Sequence, residues 1–325
     1  VAMLNAIPYK TKQFLVVLIK LSIVVGAFYV IFKKLFENDN LDFHNFSQFI
    51  IENDVFSIKN SVFLLIFTCF NWFFEILKWQ TLVSFVIPTS FKKSLEQSLG
   101  SLTASLLTPN RIGEYGAKAM YVSSKFRKRI LLLNFIGNMT QMTVTILLGI
   151  VGLSFLVSNY SLEFSTNSVI ILAVSFTTFV VGFLWIIKQK SFKIKGFSIE
   201  KLKTFMAKIP KNIIVLAISY SFIRYLIFSF QLYVLLQIFG VSISYFDAMI
   251  LISSMYLLSS VIPTLLIFDV VIKSSVAVFV FCLAGIDELT ILCVMTVMWL
   301  LNFVLPSIFG SYYVLQFKLP KKAVI

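Results

Sequence analysis

Residues 94–124 read SLEQSLGSLTASLLTPNRIGEYGAKAMYVSS. Two arms meet at Thr108-Pro109-Asn110. Proline has no backbone N–H and pushes the residue before it out of the helical region, so one helix cannot run through this point. The arms are about 15 and 13 residues, too short at ~1.5 Å per residue to cross ~30 Å of hydrocarbon. Read as helices, they form a re-entrant hairpin whose ends emerge on one side of a membrane.

The sequence on either side supports a membrane setting. The chain has 325 residues, 59% of them hydrophobic and only 13% charged. A soluble domain of this length needs a more polar surface. Apolar runs long enough to span a bilayer fall near 14–35, 60–86, 130–157, 168–187, 212–238 and 288–316. The first follows Lys10 and Lys12, and no small-residue cleavage site ends it, so it reads as a retained span. A second broken region, 246–284, is interrupted at Pro263-Thr264. Its arms are about 18 residues each, and a hairpin and two short spans are both open. Either way its ends emerge together. The expectation is an all-α polytopic protein, one integral domain over 1–325, with about six spans and two broken hairpins.

The net charge is +14, and its placement sets orientation. Connector 188–211 carries Lys188, Lys190, Lys193, Lys195, Lys201, Lys203, Lys208 and Lys211 against Glu200 alone. Lys92, Lys93, Lys125, Arg127, Lys128 and Arg129 flank the first hairpin, and Lys318, Lys321 and Lys322 lie in the tail. Connectors 36–59, 158–167 and 284–288 are acidic. The positive-inside rule places the basic stretches and both termini in the cytoplasm, with Lys33 and Lys34 as the one dissent. The expected location is the cytoplasmic (inner) membrane, and the expected surface partner is anionic lipid rather than nucleic acid. Ile199, Leu202, Phe205, Met206 and Ile209 can form one face of a basic amphipathic helix over 198–209, lying on that surface; a plain solvated connector is the other reading.

Cys69, Cys282 and Cys293 lie in apolar segments, and His44 is the single histidine. No Cys/His cluster, metal site, cofactor or catalytic residue is expected. No GxxxxGK[ST] occurs, so ATP is not the direct drive.

The topology implies a repeat. Unit 60–157 and unit 212–316 each have a span, a hairpin and a span, and one linking span (168–187) inverts the second. Inverted repeats with broken helices meeting near the midplane recur in transporters. Glu114 and Lys118 follow Pro109, and Asp269 and Lys273 follow Pro263, each pair four apart on one helix face. Glu96 and Asp247 open the two hairpins.

Charges at this depth cost ~2.5–3.5 kcal/mol each on the insertion scale. Arg111, Glu114, Lys118, Arg224, Asp269 and Lys273 therefore face one another, water or a polar ligand. Two readings stand: ion pairs that hold the hairpins together, or a cavity that binds a charged head group. The half-helix after Pro109 would point free N–H groups inward, and Arg111 beside it could grip phosphate oxygens. Arg224 more often pairs with a nearby carboxylate. Asn134, Asn138, Gln141 and Thr145 share one face of the span 130–157, as interhelical hydrogen-bonders or as a polar wall. Trp72 and Trp79 are lipid-facing or packing residues by default.

The stretch 101–118, SLTASLLTPNRIGEYGAK, resembles the signature of the lysylphosphatidylglycerol synthase transmembrane (flippase-like) domain family. Glu75, Lys78, Trp79 and Pro263 fit as well, and the resemblance runs from about 14 to 316. It implies a protein that moves lipids, such as aminoacylated phospholipids or polyprenyl-linked carriers, between leaflets. It also implies a central site at Pro109, Arg111, Gly113, Glu114 and Pro263. Leu265-Leu266-Ile267-Phe268 departs from the small residues expected after Pro263. The aminoacyl-transferring domain of two-domain members has no counterpart here, so lipid synthesis is not expected. The rival readings are a membrane-embedded lipid-linked transferase and a small-solute or ion transporter.

Overall fold

The computed structural model describes residues 22, 25, 29, 57–106, 108, 112–160, 193–194, 197–198, 204–261 and 269–318; for 193–194, 197–198, 261 and 269–272 it describes the backbone alone. The expected span 14–35 is represented only by residues 22, 25 and 29, all helical. The linking span 168–187, Pro109, Arg111, Pro263 and the side chain of Asp269 lie outside the described residues.

The described structure is helical apart from one two-residue ladder. Four helices are long and apolar enough to cross a membrane: α1 (Ile58–Ser84), α4 (Arg127–Asn159), α5 (Lys211–Ile238) and α8 (Glu288–Gln316). Between them lie α2 (Phe91–Ser105), α3 (Ile112–Met120), α6 (Tyr245–Val261) and α7 (Asp269–Cys282). α2 packs on α3, and α6 on α7, so each broken region folds back on itself. The protein is an integral, multi-pass membrane protein.

Local chemistry sets the helix ends. Ser57 and Ser90 cap α1 and α2, and Asp287 accepts from Thr290 N–H at 3.0 Å to cap α8. The acid expected on an outer connector thus also starts a helix. Gly240 and Gly285, at φ 76° and 74°, make the tight turns after α5 and α7. α3 has nine residues, shorter than the arm expected from the sequence.

For connector 188–211 the spacing leaves open both a surface helix over 198–209 and a plain solvated connector. Among the described residues Lys193–Ile194 pairs antiparallel with Phe197–Ser198 and one helical turn occupies 204–207, so no helix starts at Ser198. Phe205 and Ile209 pack into the protein against Trp79 and Val83 rather than facing lipid, and Met206 is exposed. Phe205 and Ile209 thus have partners within the chain, while Ile199 and Leu202 lie outside the described residues.

Three helix pairs cross antiparallel. On α1 and α5, Gln231 meets Leu64 and Thr68, Arg224 meets Asn71 and Glu75, and Tyr220 meets Phe74. Numbers fall on one helix as they rise on the other. α4 lies along α6, where a side chain at Gly149 would strike Leu257 and one at Gly152 would strike Ser253. α8 lies along α2, where Gly310 comes against the Leu99 carbonyl and Thr103. Glycine is required at these crossings because the backbones approach too closely for a Cβ.

Two apolar clusters sit at opposite ends of the long helices. One holds Trp79, Leu82 and Val83 of α1, Ile130, Leu133 and Ile136 of α4, and Ala217 of α5. The other holds Leu64, Leu156, Leu232, Leu235 and Leu236, with much of α6, α7 and α8. Polar side chains occupy the layer between.

Candidate functional site

Arg224 stands at the middle of α5. Its Nη1–H groups donate to Glu75 and, at 3.1 Å, to Gln141 Oε1. Nε–H donates to the carbonyl and to Oδ1 of Asn71 at 3.2 and 3.1 Å. The expectation that it pairs with a carboxylate is met, and the partner is Glu75. Glu75 also takes Lys78 Nζ at 2.8 Å, three residues along α1.

The seam continues along α1. Asn71 Nδ2 donates to Asn302 Oδ1 (2.9 Å), Asn302 Nδ2 to Gln231 Oε1 (2.9 Å), and Gln231 Nε2 to Thr68 Oγ1 (2.9 Å). Asn302 reaches this point through a π-helical turn, Leu300–Val304. Pro306 cannot donate to the Asn302 carbonyl four residues back. That carbonyl accepts Trp72 Nε1–H at 3.2 Å. π-Turns concentrate at functional sites for this reason: they free backbone groups and re-aim side chains.

A second cluster lies on α3. Glu114 is in its first turn and Lys118 in its last, a dipole-favourable order. Lys118 Nζ donates to Glu114 Oε1 at 2.7 Å and Asn134 Oδ1 at 2.8 Å, and sits 4.2 Å from the centre of the Trp79 ring. Trp79 in turn donates to Gln97 Oε1 at 2.7 Å. Gly113 N–H donates to Thr108 Oγ1 at 2.6 Å and holds the start of α3 against the end of α2.

Both clusters face one cavity of about 390 Å³. Each of α1–α8 lines it. α1 supplies Asn71, Trp72, Glu75 and Lys78; α2, Ser98; α3, Glu114 and Lys118; and α4, Asn138, Gln141 and Thr145. Arg224 comes from α5, Tyr256 from α6, Lys273 from α7, and Asn302 and Phe303 from α8. Lys273 Nζ lies 5.9 Å from the centre of the Phe303 ring. The cavity is at mid-length of α1, α4 and α5, each of which passes from one apolar cluster through the cavity wall to the other. In a bilayer that depth has no water to satisfy a charge, so every ion needs a protein or ligand partner.

Four of the six expected charged residues (Glu114, Lys118, Arg224, Lys273) therefore share one cavity wall. The polar face of α4 divides. Asn134 and Gln141 bond to other helices, Asn138 bonds to the Tyr115 hydroxyl, and Thr145, among the described residues, bonds only to its own helix. Asn138, Gln141 and Thr145 also line the cavity, so wall and hydrogen-bonder are one role here. The default for the tryptophans is corrected at Trp72, which lines the cavity, while Trp79 is buried packing. Glu75 and Lys78 were absent from the expected charge set. The cost argument that flagged Arg224 applies equally to them, inside the apolar run 60–86.

Antiparallel membrane helices enclosing a charged chamber at mid-depth define a polytopic membrane protein with an internal polar site. The model of the family described as lysylphosphatidylglycerol synthase TM region matches residues 17–310, and the chain belongs to that family. It is thus a membrane protein of a lipid-related, flippase-like family. No curated protein and no solved structure matches it.

Proposed function

We propose that the protein moves a charged-head-group lipid between leaflets, the head group passing through the mid-depth cavity while the acyl chains stay in the bilayer. The candidates are an aminoacylated phospholipid and a polyprenyl-linked carrier. The observation that carries the reading is a charged chamber built from α1–α8, at the depth where charge is most costly to hold. The protein transports and does not transform: no bond is made or broken.

In this proposal α1–α4 and α5–α8 are inverted repeats. Three features support it. α1 and α5 cross antiparallel. α4 packs on α6 as α8 packs on α2. The residues under the glycines correspond, since the same interval of 154 positions separates 99 from 253 and 103 from 257. The two hairpins enter from opposite faces, with the basic connectors cytoplasmic. Exchange between two such half-related arrangements would open the cavity to each leaflet in turn.

The test is leaflet exchange of a labelled phospholipid in reconstituted vesicles, for wild type, Glu114→Gln and Asp269→Asn. Both variants should insert and still unfold cooperatively, Glu114→Gln at a lowered midpoint because Lys118 loses its carboxylate while keeping Asn134, and both should lose translocation. Wild-type rates in both would refute the site. The cavity volume also falls within the ~300–1,000 Å³ of small-molecule sites. That favours a small solute as the second reading, and solute flux without lipid movement would select it.

A further inference from the structure

An arginine and a carboxylate frequently meet fork to fork, through two parallel N–H···O bonds. The Arg224–Glu75 pair is made through one. Arg224 spends Nε on the carbonyl and Oδ1 of Asn71, at 3.2 and 3.1 Å, and shares Nη1 between Glu75 and Gln141 Oε1. Glu75 in turn takes both Arg224 Nη1 and Lys78 Nζ on the same oxygen, Oε2. One atom is left over on each side. Glu75 Oε1 and Arg224 Nη2 have no hydrogen-bond partner among the described residues. Neither atom is sealed off. The two side chains are 13% and 19% exposed, and both residues line the cavity.

The unspent atoms belong to a carboxylate and a guanidinium already joined by a hydrogen bond, so an open acceptor and an open donor stand together. The amide acceptors beside them, Asn71 Oδ1 and Gln141 Oε1, are both occupied by Arg224. Charged ligands meet a conflict here. An ammonium drawn to Oε1 would face Arg224 and Lys78, and an anion drawn to Nη2 would face Glu75. Like charges repel strongly where water is scarce. A hydroxyl meets neither conflict, because it donates and accepts at once. A polyol can give one O–H to Oε1 and take Nη2–H on the same or the neighbouring oxygen. That completes the second half of the fork without breaking the first.

We propose that the Glu75–Arg224 pair is a recognition site for a polyol head group, with Glu75 Oε1 accepting from a hydroxyl and Arg224 Nη2 donating to one. This deepens the translocation reading and rests on it only in taking the ligand to be a lipid. It also ranks that reading's two candidates. An aminoacylated head group brings an ammonium toward Arg224 and Lys78, whereas a carrier bearing a sugar brings hydroxyls.

The test uses the full chain in phosphatidylcholine nanodiscs, titrated with phosphatidylglycerol or phosphatidylpropanol. The two lipids share charge and acyl chains and differ only in the head-group hydroxyls. Binding is read by native mass spectrometry and by the shift in melting temperature. Phosphatidylglycerol should bind at least about tenfold tighter, the size of one hydrogen bond to a charged group. Equal affinities, or tighter binding of lysylated phosphatidylglycerol than of phosphatidylglycerol, overturn the proposal. Arg224→Lys keeps a cation beside Glu75 and removes Nη2. It should cut the preference to less than about threefold and leave phosphatidylpropanol binding as it was, the loss expected when one such donor is removed. A full preference in a folded Arg224→Lys protein overturns the role given to Nη2, and if that variant does not fold, the wild-type comparison of the two lipids decides. Free glycerol competing as tightly as the lipid overturns the lipid assignment. A preference for phosphatidylglycerol without leaflet exchange refutes translocation and leaves this site standing. Leaflet exchange that does not distinguish the two lipids does the reverse.

Discussion

The two four-helix units contain the same sequence of elements but bury different chemistry. In the first, α1 and α3 bury Lys78, Glu114 and Lys118 and partly bury Glu75, and the apolar packing is confined to one end around Trp79 and Leu133. In the second, α5–α8 bury an apolar mass from Leu232 through Ile252, Phe281 and Val297, which draws Leu64, Leu156 and the partly buried Leu153 from the first unit. α8 is mostly buried, while α1, α4 and α5 turn most of their surface outward. Phe63, Phe70, Leu147, Ile150, Val215 and Phe222 are among the exposed apolar residues there. One architecture thus holds its halves together in two ways. The first unit depends on ion pairs and amide contacts, the second on close packing.

Five substitutions would break or sharpen that contrast. The largest effect is expected for Glu75→Gln, which leaves Lys78 and Arg224 facing each other without their carboxylate. Removing one partner of a buried pair costs ~3–5 kcal/mol, so the thermal midpoint in detergent should collapse and the yield of monodisperse protein should fall. An unchanged melting curve would show that the first unit does not depend on its ion pairs.

Next are Gly152→Val and Gly310→Val, one at each glycine crossing. Overpacking costs ~1–3 kcal/mol, and the two losses should be similar if the crossings are equivalent. A large difference in their melting shifts would separate the units. Asn302→Ala removes contacts with Asn71 and Gln231. Interhelical hydrogen bonds in membranes are worth ~0.6 kcal/mol on average and up to ~1.7, so a shift of that order is expected in equilibrium unfolding. Thr145→Val should be smallest. Its hydroxyl bonds the Gln141 carbonyl of its own helix at 3.1 Å, so stability should change by less than ~0.5 kcal/mol. A larger loss would mean that Thr145 contacts something within the cavity.

Much of the fold was legible beforehand. The runs 60–86, 130–157, 212–238 and 288–316 match α1, α4, α5 and α8 within a few residues, because bilayer thickness sets the length of an apolar helix. The broken regions were legible because proline interrupts a helix locally. Glu114 and Lys118 could be paired from their spacing alone. Arg224 could not be given a partner, since Glu75 is 149 positions away. The seam through Asn71, Asn302 and Gln231 was equally hidden. Isolated amides in apolar runs mark a face of a helix, not the residue across from it. Asn302 was further obscured by the π-helical turn before Pro306, which changes the helical phase that spacing arguments assume.

By itself the sequence determined that this chain lives in a membrane, which runs can cross it, where the helices break and which residues place charge at depth. Those properties are local and additive: apolar length, a missing N–H, a count of ionised groups. Only the tertiary structure decided which cation meets which carboxylate. That depends on the rotation and register of each helix, which close contacts at Gly149, Gly152 and Gly310 help to fix; a displacement of one residue would turn a lining side chain away from the cavity.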